Sequence, residues 1–404
     1  MRPVGGGIAR ALRNRGAAPG AVVIGGDYQG LGIVRSLGRR GIDVLVIDDE
    51  RSVSRHSRFA TAAVKVLELR DEEKTIETLL ALGARYGLEG WVVFPTREET
   101  VAALSRHRER LLSQFRIPTP PWEVVKWVWD KRNTHDLAAE LGIATPRTWS
   151  VESAEELEAI DGEPPFAIKP AIKERFLYAT GSKAWRADTR AELDARFRAA
   201  AKLVGAGEVL VQELIPGSGD TQLAYCTFFR EGRSSASMVV RRLRQHPLLF
   251  GRASTFVETI EHPELEEISE RFLRRIGYYG LVELEYKHDA RDGRTKLLDV
   301  NARTWGYHSL GQRAGVDFPY LLYADQLSLP APDGLRAPPG VSWIRLATDV
   351  PTAAVALARG ALDWRTYVRS LRVANVESVF SRDDPLPGLA ELVLLPYLAM
   401  KRGF

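Results

Sequence analysis

Two acidic stretches carry the strongest chemical signal in the chain. In Gly280-Leu281-Val282-Glu283-Leu284-Glu285-Tyr286-Lys287 a strand would place Glu283 and Glu285 on one face and Val282, Leu284 and Tyr286 on the other. Further on, Leu298-Asp299-Val300-Asn301-Ala302-Arg303 puts Asp299, Asn301 and Arg303 on one face and Leu298, Val300 and Ala302 opposite. A three-residue loop Arg291-Asp292-Gly293, with Gly293 in the left-handed position, sets Glu285 against Asp299 and Glu283 against Asn301. A two-residue Asp-Gly loop would instead set Glu285 against Val300 and mix the faces. The first register is expected. It gathers carboxylates and a carboxamide oxygen with Lys287 as the sole compensating lysine, which is costly unless a cation neutralises the cluster. Hard oxygen donors in small number suit Mg²⁺, which fills its remaining positions with water and nucleotide phosphates. A polar sheet face turned to solvent accounts for these strands equally well, so other residues must decide.

Three other places supply them. Phe166-Ala167-Ile168-Lys169-Pro170 puts a lysine at the end of an apolar strand, where a cation on a buried stem is wasteful unless it meets an anion such as phosphate. Val209-Leu210-Val211-Gln212-Glu213-Leu214-Ile215-Pro216-Gly217 is a strand running into a turn, with Asp220 just beyond. Arg241-Arg242-Leu243-Arg244-Gln245-His246 places Arg242 and Arg244 on one strand face. Each alone also reads as ordinary surface charge.

The elements that must hold these residues begin with Ala21 to Asp48, which reads as strand, glycine turn, helix, strand. Its turn, Gly25-Gly26-Asp27-Tyr28-Gln29-Gly30-Leu31-Gly32, is not G-x-G-x-x-G, although Asp48 sits where a ribose-binding acid would. A further strand, Gly90 to Pro95, leads through Thr96-Arg97-Glu98-Glu99 into a helix expected over about 99–114, giving a parallel α/β layer. Ile117-Pro118-Thr119-Pro120-Pro121 marks a domain edge. A helix near Asp130 to Leu141 stops at Gly142. From Pro165 to Ile215 the pattern is strand, long loop, strand, helix, strand. From Ser218 to Arg303 it is mostly antiparallel strands around one helix, Pro263 to Ile276, and after about Leu329 come strands and short helices punctuated by Pro and Gly.

With 404 residues, 45% of them apolar, the chain has material for two or three packed units. Lys and Arg number 56 against 52 for Asp and Glu, an excess too thin to mark a nucleic-acid binder. The single cysteine, Cys226, excludes an intramolecular disulfide and a Cys-based metal cluster, and points to a reducing, cytoplasmic setting with Cys226 as a core residue. Residues 1–20, with Arg2, Arg10, Arg13 and Arg15 and no acid, read as a flexible basic tail without the apolar region of a secretory signal. No run reaches the length of a membrane span. Leu386 to Met400 comes closest and, interrupted by Pro387, Gly388, Glu391 and Pro396, reads as a docked helix.

Taken in order, Asp130-Lys131, Lys169-Pro170, Gln212-Glu213-Leu214-Ile215-Pro216-Gly217, Glu285 and Asp299-Val300-Asn301-Ala302-Arg303 resemble the ATP-grasp superfamily, from roughly Val22 to Gln326. The resemblance implies an α/β (α+β) protein. A Rossmann-like pre-ATP-grasp domain would span 21–127 and an ATP-grasp domain 128–328, with a small lobe about 146–213, a large lobe about 214–328 and a C-terminal extension 329–404. It implies ATP and Mg²⁺, with Mn²⁺ as a substitute, and an acyl phosphate on a carboxylate that an amine attacks. Lys131 and Lys169 then hold phosphates; Gln212, Glu213 and Leu214 form the adenine hinge; Asp220 takes the ribose. Glu285, Asp299 and Asn301 bind the metal, with Glu283 as a further candidate. Arg303, Arg242 and Lys169 offset charge on the transferring group. No catalytic histidine is required, and His246 and His308 are expected in loops or core. The flap Ala171 to Trp185 has only Gly181 where the family has several glycines, and Asp299 stands where glutamate is commoner. Arg241-Arg242-Leu243-Arg244-Gln245 and Asn301-Ala302-Arg303-Thr304-Trp305-Gly306 look most like carboxylate–amine ligases similar to D-aspartate ligase. Partners are then small-molecule carboxylates and amines, a homodimer being compatible, with no nucleic acid. Two rival readings stay open: a nucleotide-dependent oxidoreductase using Gly25 to Asp48, and a non-catalytic ATP sensor.

Overall fold

A computed structural model describes residues 18–402 except 218. The basic tail expected over residues 1–20 lies, as far as residue 17, outside the described residues. The first layer is a parallel sheet ordered β3-β2-β1-β4-β5, built from β1 (Ala21–Ile24), α1 (Tyr28–Gly38), β2 (Val44–Asp48), β3 (Ala62–Lys65), α2 (Glu72–Tyr86), β4 (Trp91–Pro95), α3 (Glu98–Arg106), α4 (Arg108–Leu112) and β5 (Phe115–Arg116). Its central strands are wholly buried, as a parallel sheet covered on both faces requires. The helix expected over 99–114 is broken, because His107 leaves helical geometry at φ −99°, ψ 20°. Two helices follow, α5 (Trp122–Trp129) and α6 (Lys131–Glu140). Asp130 caps α6 by accepting the Arg132 N–H at 2.9 Å, and Gly142 ends it at φ +67°.

An antiparallel sheet ordered β6-β9-β7-β8 comes next, from β6 (Thr148–Ser150), β7 (Phe166–Pro170), α7 (Lys173–Thr180), β8 (Trp185–Ala187), α8 (Arg190–Val204) and β9 (Val209–Glu213). The long loop expected after Lys169 therefore contains a helix, α7, closed by Gly181 in the left-handed conformation with its N–H on the Leu177 carbonyl.

The large sheet is ordered β14-β13-β10-β11-β12-β16-β17, with β15 pairing β11. It comprises β10 (Gln222–Arg230), β11 (Arg233–His246), β12 (Ala253–Ile260), β13 (Gly280–Asp289), β14 (Arg294–Asn301), β15 (Leu335–Arg336), β16 (Ser342–Ile344) and β17 (Val376–Glu377). The helices along this part of the chain are α9 (Pro263–Arg275), α10 (Ser309–Arg313), α11 (Phe318–Gln326), α12 (Leu346–Ala358), α13 (Trp364–Val373) and α14 (Leu386–Arg402). The residues after 329 are thus part of the large sheet through β15, β16 and β17. Among the described residues no helix is long and apolar enough to cross a membrane.

Glu285 faces Asp299 and Glu283 faces Asn301, as expected, but the turn reaches that register by another route. Asp289 pairs with Arg294, so four residues form the loop, and an irregularity between Glu285 and Tyr286 restores the pairing by passing over Leu298. Leu297, not Leu298, consequently enters the core. Gly293 takes the left-handed position at φ +70°.

One apolar cluster runs through the first sheet and the large one. It joins Val23, Ile33, Val46 and Phe94 to Cys226, Phe228, Met238, Trp305 and Trp343. The small sheet has its own cluster around Phe166, Phe176 and Phe197.

Candidate functional site

The polar face of β13 and β14 is closed over by side chains from every layer. Lys131, the first residue of α6, reaches Asp299 at 3.2 Å. Asn301 donates its amide to Glu283 Oε2 at 3.0 Å and Glu285 Oε1 at 2.9 Å. Arg242, from β11 of the same sheet, lies 3.3 Å from Glu285 and donates to Gln222 at 2.6 Å. The Tyr307 hydroxyl donates to Glu283.

Two cations and one acid escaped the sequence reading. Lys173, on α7, donates to Asn301 Oδ1 at 3.2 Å and pairs with Glu98 at 2.6 Å. Glu98 also receives Arg303 at 2.9 Å. The first turn of α3 thereby joins the flap helix to Arg303. Glu98 could have been suspected from its place just past β4, since open parallel sheets bind ligands beyond their strand C-termini. Lys183, in the turn after α7, acts electrostatically on Glu285 and Asp299 and had no such signal.

The charges respond to this crowding. Burial raises Glu283, with the Glu285 charge adding to it, to about 7. Burial also pushes Glu285 up, but Lys183 and Arg242 outweigh it and hold the group well below its ordinary value. Asp299 is likewise held low by Lys131, Lys173 and Lys183 against its burial. Lys169 is drawn down by burial and by Lys131 to about 8, while donating to the Gln212 carboxamide at 2.6 Å. His135, one turn along α6, is drawn down to about 4 by burial and then by Lys169 and Lys131, so it is neutral near pH 7. The cations Lys131, Lys169, Lys173, Lys183, Arg242 and Arg303 thus outnumber the carboxylates Glu98, Glu174, Glu283, Glu285 and Asp299, and burial raises two of those acids, Glu174 and Glu283, to about 7. A centre with that excess calls for an anion.

Other expected residues fall at the rim of this group or apart from it. Glu213 is clamped by Lys296 at 2.9 Å, Arg291 at 2.8 Å and the Arg147 N–H at 3.0 Å, so its carboxylate is structural. The Leu214 N–H donates to the Pro165 carbonyl at 3.2 Å. Asp220 is exposed on a short turn and acts electrostatically on Lys287, whose ammonium donates to the Ile215 and Gly217 carbonyls at 2.9 Å. Arg244, expected beside Arg242, is instead bidentate to Asp349 at 2.8 Å, because the register of β11 against β12 shifts between the two arginines. His308 is buried against the Gln29 carbonyl at 2.9 Å, and His246 contacts Thr352 at 3.1 Å. Cys226 is buried 3.6 Å from the Tyr307 hydroxyl, and burial pushes its thiol well up.

The residues present fit a hard divalent cation. Among the described residues no three His, Cys, Asp or Glu side chains form a complete metal site. The expected set, Glu285, Asp299 and Asn301, faces one way from paired strands and offers oxygens only. Lysine and arginine head groups, Lys131 on Asp299, Lys173 on Asn301 and Arg242 on Glu285, now hold those oxygens, and a cation could take their place. The glycine turn does not fit a dinucleotide. Asp48 already accepts the Gly26 N–H at 2.7 Å and Arg97 at 2.9 Å, and Asp27 caps α1 from the Tyr28 N–H at 2.8 Å. Both the ribose-binding acid and the helix N-terminus are taken. Beside this turn lies a cavity of about 410 Å³, lined among others by Asp27, Asp48, Arg97, Tyr178 and Arg252.

The chain is similar in sequence and fold to several known proteins. Residues 228–377 match the family described as "ATP-grasp in the biosynthetic pathway with Ter operon". A D-aspartate ligase of Enterococcus faecium (strain Aus0004) is 24% identical over 304 residues, covering 70% of each chain. Among solved structures, an L-amino acid ligase from Bacillus licheniformis superposes with a TM-score of 0.60 at 16% identity, covering 81% of this chain and 79% of that one. An N5-carboxyaminoimidazole ribonucleotide synthetase in complex with ADP gives 0.62 at 13% identity, covering 84% and 85%. The biotin carboxylase domain dimer of the Hydrogenobacter thermophilus 2-oxoglutarate carboxylase, bound to MgADP, ADP and bicarbonate, gives 0.62 at 16%, covering 78% and 71%.

Proposed function

We infer that this chain, an ATP-grasp protein with a D-aspartate ligase among its homologues, is an ADP-forming ligase that joins a carboxylate to an amine through an acyl phosphate. The observation that carries the reading is the buried excess of cations around facing carboxylates, a charge pattern that a metal-bound polyphosphate would complete.

In this proposal Lys131 and Lys169 hold ATP phosphates, and the backbone of Gln212, Glu213 and Leu214 meets the adenine, Leu214 giving up its bond to Pro165. Asp220 takes the ribose. Glu285, Asp299 and Asn301 would hold Mg²⁺ or Mn²⁺, which supplies charge neutralisation to the phosphates. Lys173, carried on α7, closes over the site. Arg242 and Arg303 offset negative charge as the terminal phosphoryl group passes to the substrate carboxylate, and the amine then displaces phosphate. No side chain need act as nucleophile. Positioning and fixed charge in a closed site supply most of the acceleration. The 410 Å³ cavity opens beside Arg97, next in sequence to Glu98, and suits one of the two organic substrates.

The test is an ADP-release screen over a matrix of carboxylates and amines, with acidic amino acids among the first amines. With the carboxylate but no amine, hydroxylamine should trap a hydroxamate, and oxygen-18 in the carboxylate should appear in phosphate. Formation of AMP, or phosphate free of the label, would falsify the acyl-phosphate route. A non-catalytic sensor would release no ADP with any pair.

A further inference from the structure

The last two helices present their surfaces the wrong way round for a protein surrounded only by water. Between Leu386 and Met400 the one charged side chain is Glu391, and α14 turns it inward to Arg345 at 2.8 Å, both side chains fully buried. The outward face is apolar along its whole length: Leu386 is 55% exposed, Leu389 56%, Val393 81% and Met400 78%, recurring at the spacing of one helical stripe. Leu392 at 50% and Leu395 at 37% add to it, so six large apolar side chains of one helix stand exposed together, unlike the single hydrophobics scattered over an ordinary monomer surface.

Helix α13 adds an independent observation. None of its residues is buried. Trp364, Val368 and Leu371 form one stripe, Trp364 being 61% exposed, and Arg365, Arg369 and Arg372 form a second stripe beside it. An aromatic and aliphatic face flanked by arginines is the pattern of a helix lying in the plane of a lipid headgroup layer.

We propose that α13 and α14 dock the protein on an anionic lipid surface, lying on it and not crossing it. Charge decides the occupant. Neither helix exposes an acid within its length, while α13 exposes its three arginines; of the flanking exposed acids Asp363 caps α13 and Asp383 pairs with Arg39, whereas Arg382 is exposed just before α14 and the sequence continues after Met400 as Lys401-Arg402. A second copy seated on this face would bring like-charged rims together, and a neutral apolar partner would leave the arginines without counter-charges. Anionic headgroups satisfy both the stripe and its rim.

Flotation of the full chain with liposomes tests this, using phosphatidylcholine alone and phosphatidylcholine with about one-quarter phosphatidylglycerol. The expected result is co-flotation with the anionic vesicles, at least about fivefold above the neutral ones, and falling as salt screens the arginines. Leu389→Gln with Val393→Gln should abolish flotation while leaving the melting temperature and lipid-free ADP release unchanged; both positions are exposed and distant in role from the nucleotide site. Arg365→Gln with Arg369→Gln and Arg372→Gln should remove the preference for the anionic vesicles. Protein left at the bottom of the gradient with both vesicles overturns the proposal. So does a dimer in light scattering that the Leu389→Gln, Val393→Gln variant turns into monomer, because the face then belongs to a second copy. Equal binding to both vesicles, unaffected by the arginine changes, overturns the electrostatic half.

Discussion

Glu98→Gln is the substitution that separates a working site from a merely crowded one. The Glu98 carboxylate takes Lys173 at 2.6 Å and Arg303 at 2.9 Å on the same oxygen, and its side chain is only 13% exposed. Burial would raise its pKa, yet Lys173 and Arg303 hold it below the ordinary value, so the acid is charged near pH 7. A hydrogen bond to a charged group contributes about 1.5–3 kcal/mol, and glutamine keeps an acceptor while losing the charge. The net loss should be roughly 2 kcal/mol, or about thirtyfold in rate. Alanine would leave two buried cations uncompensated, at a cost of about 3–5 kcal/mol in folding, and would confuse the reading. Because Arg303 is proposed to face the transferring group, the loss should fall on kcat, with KM for ATP changed by less than about threefold. Coupled ADP release measures both parameters, and a melting curve checks the fold. Glu99→Gln serves as the control: that carboxylate holds the Tyr178 hydroxyl of α7 but not Arg303. A Glu98→Gln enzyme whose kcat stays within about threefold of the parent refutes the reasoning.

Lys169→Met should fold normally and lose a factor on the order of 10² or more in turnover, as for removal of one charge-stabilising donor; ADP release decides it. The pKa of Lys169, drawn down to about 8, lies below its unfolded value. Between about pH 8 and pH 10.5 the unfolded chain therefore binds the extra proton, so this group's contribution to stability rises with pH across that window. Denaturant titrations of the ATP-free parent should show that component, and Lys169→Met should lack it. ATP binding near pH 8.5 should draw a proton onto Lys169, visible as a buffer-dependent heat in calorimetry and absent in Lys169→Met. Asp299→Ala and Asn301→Ala should remove most of the gain in ATP affinity that Mg²⁺ confers; calorimetry with and without chelator is the measurement, and an unchanged gain sinks the metal assignment.

The sequence was most readable where one strand's alternation met another's. The pairing of Glu285 with Asp299 could be argued from apolar spacing and Gly293 alone, although the skip over Leu298 could not: an irregularity inside a strand leaves no mark when either of two successive leucines, Leu297 and Leu298, could be the one turned to the core. The flap helix was hidden for a related reason. Lys173–Thr180 is short and weakly amphipathic, and Gly181, its left-handed stop, reads equally well as a loop glycine. Glu98 had only its place just past β4 to mark it, and Lys173 and Lys183 lay beyond reach, because their meaning is set by partners far away in the chain, Arg303 lying 205 positions from Glu98 and Asn301 128 from Lys173. Arg244 shows the opposite failure, since strict alternation put it beside Arg242 and the bulge in β11 turned it toward Asp349.

The shared apolar cluster bears on how such a chain can be rearranged. Proline-rich 117–121 looks like a seam, and the strands proposed to hold the nucleotide all lie beyond it. Yet Val23, Ile33 and Phe94 before the seam interlock with Phe228, Met238 and Trp305 after it. Gly32 permits this closeness, because a methyl group there would stand 2.5 Å from the ring of His308. The unit that inheritance or an engineer can exchange is therefore larger than the punctuation of the sequence suggests. Swapping the first 120 residues for those of a relative would carry half an interior across without its other half, and recombinants should survive only where both sides of that packing travel together.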